Sequence, residues 1–528
     1  MTSAVTQLLV PDLVHTADPD HPHAEAVLVR GGTIAAVGSV ADLTGPGIRE
    51  QRLPGRTIVP GLIESHVHPI YTGLTNDWAD CRSPQNADIA DVLDRLRAAA
   101  EGTTGWVRGW GYDDTLLAED RHPTRAELDT VSRERPVIVQ HISGHFVVAN
   151  TAALDAAGIT ETTVAQDDPR FPRDDDGRLT GLGWEIEGVS AILDVVPQAT
   201  DAEVDAALLR ALRLARSRGI TTLNDLGLGL FAGPAERAAY ERLVDQLPVT
   251  VVAYLRGDLA LAAIERGEDP FGPIGQRARV AGAKFWTDGS IQGLSAALQM
   301  PYACAPDHTG DLLIPQEELD RIAETIHRAG GQIAMHANGD AAVHAATQAL
   351  VGTRAVDERP VRHRIEHCQV TSDTDLRAIR DAGLAVSFFI NHVYYWGDRH
   401  RDRFLGPQRA AAMDGLAAAD ALGMRFGLHS DCPITPMDPL RTMRTAATRR
   451  TSGGTVLGPD ERISPERALR AMTTDSAYLT HDETRVGMLR PGMRADLVVL
   501  DAPLETLADE SAPVPGVEQV MVAGRFED

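Results

Sequence analysis

Cysteine is scarce in this chain: Cys81, Cys304, Cys368 and Cys432 stand far apart, with no CxxC spacing among them. That excludes a disulfide framework or a cysteine zinc finger and suits a reducing compartment. Basic residues are also in deficit, 50 Lys and Arg against 75 Asp and Glu, for a net charge of −25. Such a balance argues against nucleic acid and anionic membrane as partners. No apolar run is long enough to cross a bilayer, and the first residues lack the basic and apolar regions of a secretory signal, so a cytoplasmic location is expected. Internal repeats and low-complexity tracts are missing too, and Asp174-Asp175-Asp176-Gly177 reads as a solvated turn. One glycine-rich stretch, Gly227 to Gly233, misses the GxGxxG spacing and reads as a tight loop, not a dinucleotide site.

What is present is 528 residues with 43% hydrophobic content, ample for a large single barrel with appended or inserted pieces. The organising stretch is Thr57 to Ser65, an apolar run of strand length that leads into His66-Val67-His68. Side chains alternate along a strand, so both imidazoles point to one side of its end. A lone His-x-His pair is more often two surface or core histidines. This one has company.

From about residue 205 helices alternate with apolar strands at Gly219 to Asp225, Val249 to Leu255, Val280 to Lys284, Gln332 to His336, His363 to His367, Leu384 to Phe388 and Arg425 to Ser430. With the histidine strand the count is eight, which predicts an α/β fold of the (β/α)8 TIM-barrel type with functional residues at the C-terminal strand ends. Residues 1–56 read as short strands with a Gly31-Gly32 hairpin, and 481–528 return to β character. The two ends are expected to pair as the halves of one β-sandwich around a barrel at 57–480. Residues 76–200, where helices such as Ile89 to Glu101 alternate with irregular loops, read as an insertion after the first barrel strand.

Polar residues recur at the barrel strand ends. His66, His68, His336, His367 and Asp431 are of types that bind a divalent metal, and imidazole-rich sets suit zinc. Lys284 is the odd member, because an ammonium has no lone pair. It either pairs with a carboxylate such as Asp288 or carries carbon dioxide as a carbamate (N6-carboxylysine) that bridges two metals. Asp431 is either ligand and proton acceptor or a capping residue before Pro433. His429 is left without a role.

The order His66-x-His68, Lys284, His336, His367, Asp431 resembles the amidohydrolase superfamily. The phrases Gly109-Trp110-Gly111-Tyr112-Asp113, Gly144-His145 with Asn150, Thr287-Asp288-Gly289-Ser290, His336-Ala337-Asn338-Gly339-Asp340 and Arg494-Ala495-Asp496-Leu497 to Leu500 narrow it to the YtcJ-like branch that includes N-substituted formamide deformylases. The resemblance implies a metal-dependent hydrolase with one or two divalent ions, zinc first, that cleaves a C–N bond in a small amide with Asp431 as proton shuttle. It also implies that the insertion at 76–200 covers the active site. His145 is a further candidate for the chemistry, and Glu185, His392, Tyr395 and Trp396 are candidate substrate contacts. A homodimer is compatible with this reading. Two alternatives stand beside it: a non-hydrolytic isomerase or decarboxylase on the same scaffold, and a hydrolase of a cyclic amide or ester. Ile291-Gln292-Gly293 and Asn338 depart from the pattern of relatives, and bear on the substrate more than on the metal.

Overall fold

A computed structural model describes residues 6–357 and 359–526. The chain forms two compact units: the stretch up to Pro69 together with that from Leu208 onward, and the stretch Ile70–Ala207.

In the first unit, eight parallel strands follow one another in chain order: β1 (Leu62–Val67), β2 (Ile220–Leu228), β3 (Thr250–Arg256), β4 (Ala278–Trp286), β5 (Gln332–Ala337), β6 (Arg364–His367), β7 (Ala385–Phe388) and β8 (Phe426–Leu428). β1 and β2 are buried along their whole length, as strands covered on both faces must be. The intervening helices present an apolar stripe to them. In Gln316–Arg328, Leu319, Ile322, Ala323 and Ile326 are buried at helical spacing, and Glu317 and Glu318 occupy the first turn where the helix dipole favours acid. Each buried aliphatic of this kind contributes about 1.5–3 kcal/mol.

The ladder runs from β8 to β1, and side chains close the remaining seam. The Ser65 hydroxyl of β1 donates to the Leu428 carbonyl of β8 at 2.9 Å and lies 2.6 Å from the Ser387 hydroxyl of β7. Backbone bonds continue the seam just beyond: Asp431 N–H to His66 O at 3.1 Å and His68 N–H to Cys432 O at 2.9 Å.

The chain ends build one β-domain. Its main path runs Arg525–Phe526, Val517–Val522, Leu497–Leu500, Arg49–Pro60, Thr6–His15, Ala26–Arg30, Thr33–Gly38 as a continuous hydrogen-bonded sheet. The expected single strand from Thr57 to Ser65 is divided at Gly61, where the chain leaves this sheet and enters the barrel. A side chain there is impossible without movement, since a Cβ would stand 2.3 Å from Thr221 Oγ1.

The second unit is richer in strands than its sequence suggests. A five-stranded sheet, Leu182–Trp184, Phe146–Ala149, Val137–His141, Val107–Tyr112 and Ala79–Asp80, replaces the expected irregular loops. Gly109-Trp110-Gly111-Tyr112 lies on one of these strands. All five are short, and Val137–His141 and Phe146–Ala149 are buried on both sides, so they show no alternation to read.

Candidate metal centre

His66 and His68 bracket the end of β1, and the parallel register sets Trp286 of β4 beside His336 of β5, and Ala337 of β5 beside His367 of β6. Asp431 follows β8. His66, His68 and Asp431 each offer a ligand atom, all within 4.8 Å of one another, as do His66, His367 and His429. Asp431 Oδ1 lies 3.2 Å from His68 Nε2 and 3.4 Å from His66 Nε2. Lys284 Nζ is 3.4 Å from His66 Nε2, and the His336 and His367 rings are 4.5 Å apart. The expected set of six therefore converges. Two of its members, His367 and Asp431, hold left-handed backbone at φ of 67° and 53°. Non-glycine residues adopt that conformation at a cost, and it recurs where a side chain is aimed for function.

Hydrogen bonds fix which nitrogen of His66 carries a proton. His66 Nδ1 lies 2.8 Å from Glu366 Oε2, and Glu366 also accepts two bonds from the Arg364 guanidinium, at 2.8 and 3.0 Å. A carboxylate so engaged only accepts, so His66 donates from Nδ1 and keeps its lone pair on Nε2, as a metal ligand must. Arg364, fully buried, is itself held by Asn224 Oδ1, Tyr254 Oη and the Ser65 carbonyl. His336 Nε2 lies between the Gly289 carbonyl, an acceptor at 2.9 Å, and the Asn338 Nδ2 amide, a donor at 3.0 Å.

The His66 and His367 rings also stay neutral. Burial first, then the cationic Lys284 and neighbouring imidazoles, holds His66 well below the usual imidazole range, and burial followed by His336 and His429 does the same for His367. Burial brings the Lys284 ammonium down to about 8 against the opposing pull of Glu366 and Asp431. Asp288 accepts from the backbone N–H groups of Ala297, Asn338 and Gly339, so it organises the loop after β4.

The remaining expected residues divide. His392, on the helix Asn391–Arg399 after β7, has its ring 6.4 Å from that of His367 and 5.9 Å from Trp396, and Tyr395 packs at 5.8 Å on Trp396. His145 and Glu185 belong to the second unit, where His145 Nδ1 and Glu185 Oε2 pair at 2.7 Å. Glu185 has φ of 54°. That unit also gathers Asp113, Asp114 and His141. There Ser143 N–H donates to His141 Nδ1, so the Nε2 facing Asp114 at 3.1 Å carries the proton, and the group is an imidazole–carboxylate pair instead of a ligand set.

The glycine-rich stretch after β2 is a loop, as its spacing implies. Its amides turn onto a carboxylate of the same chain: Glu236 accepts from Gly229, Phe231 and Ala232 at 2.6, 2.7 and 2.6 Å. The loop also backs the metal residues. Gly227 lies so close to His68 that a Cβ would meet Nδ1 at 2.7 Å.

Residues 52–526 match the model of an amidohydrolase family. The chain belongs to the amidohydrolase family. Among curated proteins this amidohydrolase is 30% identical to Protein LONG AFTER FAR-RED 3 of Arabidopsis thaliana, over 94% of the chain and 87% of the relative. It is 27% identical to N-substituted formamide deformylase of Arthrobacter pascens, over 95% and 94%. Among solved structures, an uncharacterized metal-dependent hydrolase from Pyrococcus horikoshii superposes with a TM-score of 0.76 at 23% identity, covering 96% of this chain and 100% of that one. At that identity the likeness carries the fold.

Glu366 and Arg364 stand outside the residues expected from the sequence, and His429 had no role assigned there. The signal for the first two is the alternation Arg364-x-Glu366 on a short barrel strand, which sends both charges to one buried face and requires that they pair.

Proposed function

We propose that this amidohydrolase cleaves a carbon–nitrogen bond in a small neutral amide of the N-substituted formamide type. The observation that carries the reading is the convergence of the His68 and His66 imidazoles on the Asp431 carboxylate, 3.2 and 3.4 Å from its Oδ1. The donor set fits a divalent metal held by His66, His68, Lys284, His336, His367 and Asp431, and imidazole richness favours zinc. When bound, such an ion lowers the pKa of water toward neutrality and polarises a carbonyl.

The chain's own residues do the rest. Asp431 accepts the proton that water loses as it attacks the carbonyl carbon, and returns it to the departing amine nitrogen, so that amide and water become carboxylic acid and amine. Lys284 serves as a carbamate: a bare ammonium 3.4 Å from His66 Nε2 would repel a cation, whereas the carbamate supplies two oxygen donors. The His392 ring stands 6.4 Å from that of His367 and Trp396 packs on His392 at 5.9 Å, an aromatic wall that suits an uncharged substituent.

The test is zinc-reconstituted protein with a panel of N-substituted formamides, secondary amides, lactams and esters in ¹⁸O water. The expected outcome is equimolar amine and acid, with the label in the acid and formamides turned over fastest. Exclusive lactam or ester hydrolysis would move the substrate class. A rearranged or decarboxylated product without label would establish the non-hydrolytic alternative.

A further inference from the structure

The seam that closes the barrel carries a chain of hydrogen bonds whose direction can be read from one end. It starts at the Leu428 carbonyl, which can only accept. The Ser65 hydroxyl donates to it at 2.9 Å and so spends its one proton. The contact of 2.6 Å between the Ser65 and Ser387 hydroxyls must then be donated by Ser387. Ser387, its proton spent in turn, can only accept from His429 Nδ1 at 2.7 Å. His429 is a neutral ring, fully buried, so a proton on Nδ1 leaves the lone pair on Nε2. That atom lies 3.1 Å from His367 Nδ1, which therefore donates to it. The last link puts the lone pair of His367 on Nε2.

We propose that His429 is a positioning residue, locked by the Ser65–Ser387 hydroxyl pair so that it holds His367 in the Nδ1–H tautomer with Nε2 presented to the metal centre. The proposal rests on the metal reading of the site only in what His367 Nε2 is for; the tautomer chain itself needs no metal. It also distinguishes His429 from the ligands. Although His66, His367 and His429 crowd within ligand distance of one another, both nitrogens of His429 are committed, one to Ser387 and one to His367. His429 then does for His367 what Glu366 does for His66.

The fold supplies the setting. Ser65 is on β1, Ser387 on β7 and Leu428 on β8, so the relay exists only where the first and last strands meet. Gly427 leaves room for it: a Cβ there would stand 2.8 Å from Ser65 Oγ.

Inversion of the relay gives a test that a merely structural role would not pass. If Ser65 is replaced by alanine, Ser387 is released to donate to His429 Nδ1; His429 must then carry its proton on Nε2, and His367 must move its own to Nε2. Full-length, metal-free protein with ¹⁵N-histidine is measured by two-dimensional NMR, with His367 and His429 identified by single His→Gln replacements. Zinc affinity is measured beside it by competition with a chromophoric chelator. The expected result is Nδ1–H for both rings in the parent chain and Nε2–H for both in Ser65→Ala. Zinc binding should weaken by about ten- to a hundred-fold in Ser65→Ala and be retained in Ser387→Thr, which keeps its hydroxyl. An Nε2–H tautomer at His367 in the parent overturns the proposal, and that measurement needs no variant to fold. A folded Ser65→Ala with unchanged tautomers and zinc affinity overturns it as well. The predicted tautomers with no zinc binding at all would uphold the relay and refute the metal reading instead.

Discussion

Two histidine clusters lie at opposite ends of the same barrel. At the N-terminal end, Ile333 N–H donates to His363 Nδ1 at 3.1 Å, so His363 Nε2–H donates to His327 Nδ1 at 2.9 Å, and His327 Nε2–H donates to Asp357 at 2.9 Å. Every nitrogen is used. At the C-terminal end, Glu366 takes the Nδ1 proton of His66, which leaves its Nε2 lone pair facing Lys284 Nζ at 3.4 Å beside Asp431 Oδ1. Both clusters contain buried rings, and burial lowers the pKa of His363 at one end and of His66 and His367 at the other. The difference is bookkeeping of protons: one end satisfies its imidazoles within the chain, while the other aims their lone pairs at a common point. Burial or count of histidines does not mark a metal centre; imidazole nitrogens gathered with a carboxylate within 4.8 Å of one another do.

Removing the converging end should have the largest effect. The double variant His66→Ala/His68→Ala is expected to lose most of its bound metal and all measurable turnover while keeping its circular dichroism spectrum and a cooperative melt. Metal analysis and amine release on one preparation check this, and full metal retention would return both residues to the ranks of ordinary core histidines.

Asp431→Asn comes next. Asparagine keeps an oxygen ligand but cannot accept a proton near neutral pH. Metal should stay, and turnover should fall by about a hundred- to ten-thousand-fold, the usual worth of a general acid–base step. Near-parental turnover with metal bound would take Asp431 out of the chemistry.

Glu366→Gln probes the support of a single ring. Zinc affinity should weaken by about ten- to a hundred-fold. Because Arg364 would be left buried without its partner, the fold should also lose about 3–5 kcal/mol, read from urea denaturation. A variant as stable as the parent would mean that the Arg364–Glu366 pair is replaceable.

The smallest effect belongs to the other cluster. Burial first, and then His327, lowers the His363 pKa from 6.5 to about 3. Below pH 6.5 the unfolded chain binds a proton that the folded chain refuses, so stability present above pH 6.5 is lost as pH falls toward 3. His363→Gln should flatten that acid slope and leave zinc affinity untouched. Chemical denaturation at pH 7.5 and pH 5 resolves the two slopes, and a change in zinc affinity would break the separation between the two ends.

Much of this was legible from residue types and spacing. The eight barrel strands are buried apolar runs between amphipathic helices, and a parallel barrel puts their C-terminal ends together, so His66, His68, Lys284, His336, His367 and Asp431 could be gathered without coordinates. The proton logic could not be. His66 and Glu366 are 300 residues apart, and Ser65 and Ser387 are 322 apart, so no local pattern joins them. His429 looked idle because its partners sit on other strands. Gly61 was hidden for a different reason: an apolar run continues through it, and only the crowding by Thr221 reveals that one sheet ends and another begins. In the inserted unit, short fully buried strands lack the alternation by which a strand is recognised.

The central claim is that the strand-end cluster, and not the one at the opposite end, holds a divalent metal. Crystals of the protein as purified, with anomalous diffraction recorded on both sides of the zinc absorption edge, test it most directly. The account predicts one or two anomalous peaks bonded to His66 Nε2, His68, His367 Nε2 and Asp431, with none at His327 or His363. Peaks at the His327–His363 pair, or an ordered strand-end cluster with no anomalous density even after zinc is supplied, would contradict it.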